Sequence, residues 1–276
     1  EPKFKEMMIR HAEDILTIQL LPIIANEDTA QLVAKNIVCE AFEDGFMLPR
    51  AINPTTILAP VNVLKIKEKL AFLRNIPQPD QRTNEWNHFR HKYIPASSAW
   101  KAFGTSRACD QLIYDKCKPL DISRYKSFST DTPMHWGQKY EDVSIMWYET
   151  KYNTHVADFG CLPHPTKPYL AASPDGINDT IGPRYGRMVE VKNIVNREIT
   201  GIPKFEYWIQ MQLQMEVCDL DECDFLETRF IEYDDEEAFS KDGAFDLTEL
   251  GQPKGIIMYF INEDGAPLYE YAPWGI

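Results

Sequence analysis

The segment 187–195, RMVEVKNIV, is the feature that most constrains this chain. Valine and isoleucine fit a pleated, half-buried backbone, and successive side chains on a strand face opposite ways. Glu190 and Lys192 therefore share one face, and Val189 and Val191 the other. A strand this apolar belongs near the middle of a sheet. A carboxylate and an ammonium placed there cost free energy unless they pair or line a cleft. Taken alone, the simpler reading is a solvent-facing ion pair of little energetic weight.

Just upstream, residues 173–176 read Ser-Pro-Asp-Gly. Turn chemistry alone accounts for such a string. If 167–175 and 187–195 pair as neighbouring strands, however, Asp175 lies beside Glu190. Two carboxylates that close repel each other, and a divalent cation relieves the repulsion. Oxygen ligands select Mg²⁺ or Mn²⁺ over zinc. A lysine beside the cation can orient or deprotonate a water, or stabilise charge developing on phosphorus.

The surrounding pattern is that of an α/β protein. Residues 6–50 carry apolar positions at helical spacing, interrupted at Pro22 and closed near Gly45. A proline-rich connector and a helix over VNVLKIKEKLAFLRNI follow, so 1–80 reads as a helical N-terminal region and 81–276 as the main domain. Short helices are expected over TNEWNHFRHKY, PASSAWKAFG (capped by Ser97 or Ser98, stopped at Gly104) and TSRACDQLIYDKC. A longer helix opens at Asp131-Thr132-Pro133, with Tyr140, Val143, Met146 and Trp147 on one face. Strands HVADFGCLP, PYLAASPD and RMVEVKNIV precede a helix KFEYWIQMQLQMEVC, and DFLETRFIEY, KGIIMYFIN and PLYEYAPW are later strands. That order indicates a sheet flanked by helices.

Charge and cysteine usage narrow the class. The net charge of −13 argues at first against nucleic acid. Its distribution matters more: 86–126 holds Arg90, Lys92, Lys101, Arg107, Lys116, Lys118, Arg124 and Lys126 against Asp110, Asp115 and Asp121. One local anion-binding face fits, as does a soluble acidic protein with uneven lysines. No Cys-x-x-Cys pair or zinc-spaced histidine exists, which excludes common zinc sites and argues against a disulfide framework or an iron–sulfur cluster. No apolar run of about 18 residues is present to span a bilayer, so an intracellular location is expected, in cytoplasm or nucleus.

Ser173-Pro174-Asp175 followed by Glu190-Val191-Lys192 resembles the PD-(D/E)XK nuclease signature. Three further motifs resemble its lambda exonuclease branch, the YqaJ-like viral recombinases. They are Tyr207-x-x-Gln210 on the helix after the Glu-x-Lys strand, Gly137-x-x-x-Glu141 on the upstream helix, and Arg90 with Pro95-Ala96-Ser97 before it. Pro95 departs from the family's threonine and removes one hydroxyl. The resemblance covers roughly 83–275, in family order.

The resemblance implies a restriction-endonuclease-like core with a central mixed sheet, and a metal-dependent deoxyribonuclease cutting linear duplex DNA 5′→3′ in viral or phage recombination, repair or replication. It implies Mg²⁺ or Mn²⁺ held by Asp175, Glu190, the Val191 carbonyl and Glu141, with Lys192 and Gln210 managing water. Arg90 and Ser97 would seat a 5′-phosphate, and Ser173 and Tyr207 would contact the strand. Duplex ends are the expected partner; a single-strand annealing protein and further copies of the chain are others that the resemblance brings in. An endonuclease, a nuclease also cutting RNA, and a catalytically silent end-binding scaffold remain open at this point.

Overall fold

A computed structural model describes residues 2–24, 26–43, 61–79, 83–121, 132–262 and 265–274. The chain divides into two units, 1–60 and 61–276. In the first, α1 (Pro2–Leu20) and α2 (Glu27–Glu43) pack on each other. The break falls at Pro22, which has no amide hydrogen to continue a helix. Asn26 restarts it, its side chain accepting from Thr29 N at 2.9 Å. Ala30, Ala34 and Val38 form the buried stripe of α2. The expected stop at Gly45 and most of the proline-rich connector lie outside the described residues.

The second unit opens with α3 (Val63–Asn75). This corrects the boundary expected at residue 80. Leu70 and Leu73 of α3 are buried in the main core with Phe159, Leu162, Ile177, Met188 and Val217. The helical pattern shows which face of α3 is apolar, but not that strands a hundred residues away cover it.

Next come α4 (Asn84–His91), β1 (Ile94–Pro95), α5 (Ala96–Ala99), a 3₁₀ turn (Trp100–Phe103) and α6 (Ser106–Cys117). Thr83 and Thr105 cap α4 and α6, accepting from Trp86 N at 3.1 Å and Ala108 N at 3.3 Å. Ser97 and Ser98 do not cap α5: both lie inside it, after Pro95. Arg124 and Lys126 of the basic segment lie outside the described residues. Helix α7 (Pro133–Tyr152) starts as expected, with Thr132 as cap and Pro133 in the first turn.

Strands β2 (Val156–Ala157), β3 (Leu162–Pro163), β4 (Leu170–Ala172), β5 (Gly176–Asn178) and β6 (Met188–Asn193) follow, then α8 (Phe205–Cys218) and β7 (Cys223–Thr228). They form two sheets. One has the order β1-β4-β3, the other β2-β5-β6-β7. Strands β5 and β6 are antiparallel, while β6 and β7 are parallel, joined through α8. A parallel pair requires such a crossover. The mixed sheet with flanking helices is the α/β class expected.

The remaining elements are α9 (Glu236–Lys241) and the hairpin of β8 (Ile257–Ile261) and β9 (Pro267–Tyr271). The hairpin meets the start of α7, where Tyr271 donates to the Lys139 carbonyl at 2.9 Å and Tyr269 bonds His135. Among the described residues no helix is long and apolar enough to cross a membrane.

Candidate active site

The expected hairpin of 167–175 with 187–195 is not the pairing found. Strand β4 bonds to β1 and β3, whereas β5 is the neighbour of β6, with Gly176 opposite Val189. Ser173-Pro174-Asp175 is therefore the crossing between two sheets. Proline and a turn-forming Asp suit a chain that leaves one ladder before entering another. Asp175 still arrives beside Glu190. Its Oδ2 accepts from Val191 N at 2.7 Å, so the carboxylate continues the ladder where the β5 backbone has not yet begun. At Gly176 a Cβ would stand 2.2 Å from Val156 Cγ1, which holds the crossing to glycine.

Strand β6 sorts its faces as the sequence predicts. Val189 and Val191 are buried against Tyr148 of α7 and Val156. Glu190 points the other way and is fully buried. Its Oε1 pairs with Lys192 Nζ, and its Oε2 accepts from Gln214 Nε2 at 2.7 Å. The same Gln214 amide lies 3.2 Å from the Ser173 carbonyl, so one side chain links the crossing to the strand. The family pattern names Gln210, for managing water, and not Gln214. Gln210 is buried on α8 one turn earlier, and the glutamine bonded to Glu190 is Gln214. Its signal was present as a polar i, i+4 stripe, without the depth of each position.

Electrostatics mark the cluster as over-supplied with carboxylates. Asp175 keeps some solvent contact, yet burial pushes its pKa up, and the charges of Glu190 and Glu141 push it further; Lys192 and the Val191 amide oppose. Burial works against the charge on Lys192, but Glu190 and Asp175 outweigh it and raise its pKa. Lys192 is thus held as an ammonium. Tyr207 lies beside it, with Nζ 5.1 Å from the ring centre.

Glu141 reaches this cluster from α7, whose position is fixed on either side of it. Asn193 donates to the Gly137 carbonyl at 2.8 Å, and Ser144 donates to Asn193 Oδ1 at 2.8 Å. Thr228 of β7 donates to the same oxygen at 2.7 Å. Residues 137 and 144 flank Glu141 by a turn each, so these bonds bind α7 to the end of β6.

The oxygens of Asp175 and Glu190, with the Val191 carbonyl, could hold a divalent cation. Among the described residues no three His, Cys, Asp or Glu side chains form a ready cage.

Arg90 and Ser97 meet as expected. Arg90 Nη2 donates to Ser97 Oγ at 3.0 Å, and its guanidinium lies 4.8 Å from the Trp86 ring centre. Burial raises the Cys161 pKa, while Ser173 and the charges of Arg90 and Lys116 pull it down. Lys116 Nζ donates to the Arg90 carbonyl at 3.4 Å, so the two cations stand close together. Lys116, which the sequence reading left among general basic residues, has its pKa lowered by burial and by Arg90. Two cations held together in a partly buried place could receive an anion.

Residues 85–221 match the sequence profile of the YqaJ-like viral recombinase domain. They belong to that family. The YqaJ-like segment runs from α4 past α8 and contains every residue of the cluster. An uncharacterized protein of Acanthamoeba polyphaga mimivirus is 28% identical over 254 residues, covering 83% of this chain and 45% of its own length. The chain thus spans about half the length of that curated relative. A crystal structure of an alkaline exonuclease (LHK-Exo) from Laribacter hongkongensis aligns with a TM-score of 0.43 and 25% identity, over 55% of this chain and 77% of that one. LHK-Exo in complex with dAMP aligns with a TM-score of 0.42 and 20% identity, over 70% and 83%.

Proposed function

We propose that this protein is a metal-dependent DNA nuclease of recombination, degrading linear duplex DNA from the 5′ end. The observation that carries the reading is the meeting of Asp175, Glu190 and Lys192 at the point where the chain crosses between sheets. A silent end-binding scaffold has no need of a buried carboxylate pair with a lysine, an arrangement that costs stability. Family membership supports the recombination setting.

Asp175, Glu190 and the Val191 carbonyl would hold Mg²⁺, with Glu141 acting through water. When bound, the cation supplies a Lewis acid that polarises the phosphate and favours ionised water. Lys192, held charged, stabilises negative charge building on the phosphorus oxygens and orients the incoming water by donation. Gln214 fixes the Glu190 carboxylate. Tyr207 stands beside Lys192, where a strand passing over the site would meet it. Arg90, Ser97 and Lys116 would receive the 5′-phosphate, and the forked guanidinium suits a dianion.

The test is a time course on linear duplex DNA carrying 5′-phosphate or 5′-hydroxyl ends, in Mg²⁺ or EDTA. Cutting is expected in Mg²⁺, none in EDTA, and faster on phosphorylated ends. Arg90→Met should slow cutting of phosphorylated ends by about 10- to 100-fold, the worth of a charged hydrogen-bonding group, and leave hydroxyl ends almost unchanged. Equal rates on both ends would remove the 5′ pocket. Cutting in EDTA would remove the metal, and no cutting on any substrate would favour the scaffold.

A further inference from the structure

Lys192 has a second acid within reach. In the parallel pair of β6 and β7, Lys192 stands opposite Glu227 and Glu190 opposite Phe225. Side chains at matched positions of adjacent strands project to the same face, with strands about 4.8 Å apart. The face that carries the cluster therefore also carries Glu227, whose side chain is 1% exposed. A buried carboxylate without a partner is costly and draws any nearby cation. Its Oε2 accepts from Gly201 N at 3.0 Å, and its Oε1 stands in ion contact with Arg197 Nη2 without an aligned hydrogen bond. Both partners come from the loop between β6 and α8. The Tyr207 ring stands beside both cations, 5.1 Å from Lys192 Nζ and 5.8 Å from Arg197 Cζ.

We propose that Arg197 is a positioning residue: by neutralising the buried carboxylate of Glu227, it leaves Lys192 on Glu190, inside the cluster. The catalytic consequence rests on the nuclease reading; the placement of the lysine does not. Glu227 lies beyond the segment matched to the family, so nothing in that match assigns it. The arrangement is a competition between two carboxylates for one ammonium, decided by a third residue. Arginine suits the task because it stays charged when buried.

Crystal structures and rates of Arg197→Met, Arg197→Lys and the double variant Arg197→Met/Glu227→Gln test it. In Arg197→Met, the lysine ammonium should leave Glu190 for Glu227. Cleavage should fall by about 100-fold, the scale of an ångström-sized misplacement of a catalytic group. The double variant should return Lys192 to Glu190 and restore most of the rate, since an amide at 227 attracts no ammonium. Arg197→Lys, which keeps the charge, should behave like the parent. Should Arg197→Met not fold, Arg197→Gln takes its place with the same readouts. The proposal is overturned if Lys192 stays on Glu190 in the single variant. It is equally overturned if the double variant is as slow as the single, because Arg197 would then act through a contact of its own. The lysine position is read even if the parent protein cuts no DNA, which separates this inference from the nuclease reading.

Discussion

Asp175→Asn is expected to abolish cleavage and, in the same protein, to raise the melting temperature of the metal-free form. Loss of one anionic cation ligand should lower the rate by about 10³-fold or more, the equivalent of several kcal/mol of lost charge stabilisation. The stability gain follows from linkage. Burial, then Glu190 and Glu141, raise the pKa of Asp175 in the folded protein. The folded state therefore holds this proton more tightly than the unfolded chain. Its contribution to stability is complete below the unfolded carboxyl pKa of about 3.9 and is lost as pH rises through the folded value. Above that folded value the parent protein is on the lost side. Asparagine carries no charge, and its oxygen can still accept from Val191 N, now bonded at 2.7 Å. Each kcal/mol recovered should raise the melting temperature by roughly 2–4 °C in a domain of this size. Melts in EDTA should separate the two proteins increasingly as pH rises into the alkaline range and bring them together in acid. Mg²⁺ should then stabilise the parent more than the variant, since binding to the folded state adds stability by mass action. A variant that melts lower than the parent throughout the alkaline range in EDTA would contradict the account of Asp175 as a buried acid destabilised by its charge.

What the sequence disclosed depended on whether a pattern names its own partner. Strand β6 was legible because its period of two separates Val189 and Val191 from Glu190 and Lys192 within one segment. Helix α7 was legible from its cap, Thr132, and from Pro133. Its buried stripe was only partly so. His135, Tyr140, Ser144 and Tyr148 are the residues buried, and Ser144 is there because it bonds Asn193 and Thr228 on other elements. The switch between sheets at 173–175 was not legible. Strands of three residues, such as β4 and β5, carry too little pattern to say which ladder each joins. Asp175 nevertheless reached Glu190, because a short crossing leaves it next to Gly176, and Gly176 pairs with Val189. The domain boundary failed for a related reason: the partners of Leu70 and Leu73 are distant in sequence. Arg90 with Ser97 was read through the family pattern, although the cap role given to Ser97 was not what placed it.

Gln214 sets the second large expectation, and it shows how helix depth decides between two identical side chains. Gln210 and Gln214 lie one turn apart on α8, and nothing local distinguishes them. The last turn of α8 is anchored by Val217 and Cys218 in the main core, which sets Gln214 against Glu190. Its Nε2 donates to a carboxylate, a bond to a charged group worth about 1.5–3 kcal/mol. Gln214→Leu should therefore slow cleavage by about 10- to 100-fold, as Glu190 loses the donor that fixes its plane, and should lower the melting temperature as well. Gln214→Glu is the harsher change. It sets a third carboxylate against Glu190 in a fully buried place, and an uncompensated buried charge costs roughly 3–5 kcal/mol. That variant should be poorly folded near neutrality and recover in acid, where the two acids can share a proton. Gln210→Leu, tested alongside, should leave the melting temperature closer to the parent's, because no bond ties Gln210 to Glu190. If Gln210→Leu destabilised the protein more than Gln214→Leu, the assignment of Gln214 as the residue that holds Glu190 would fail.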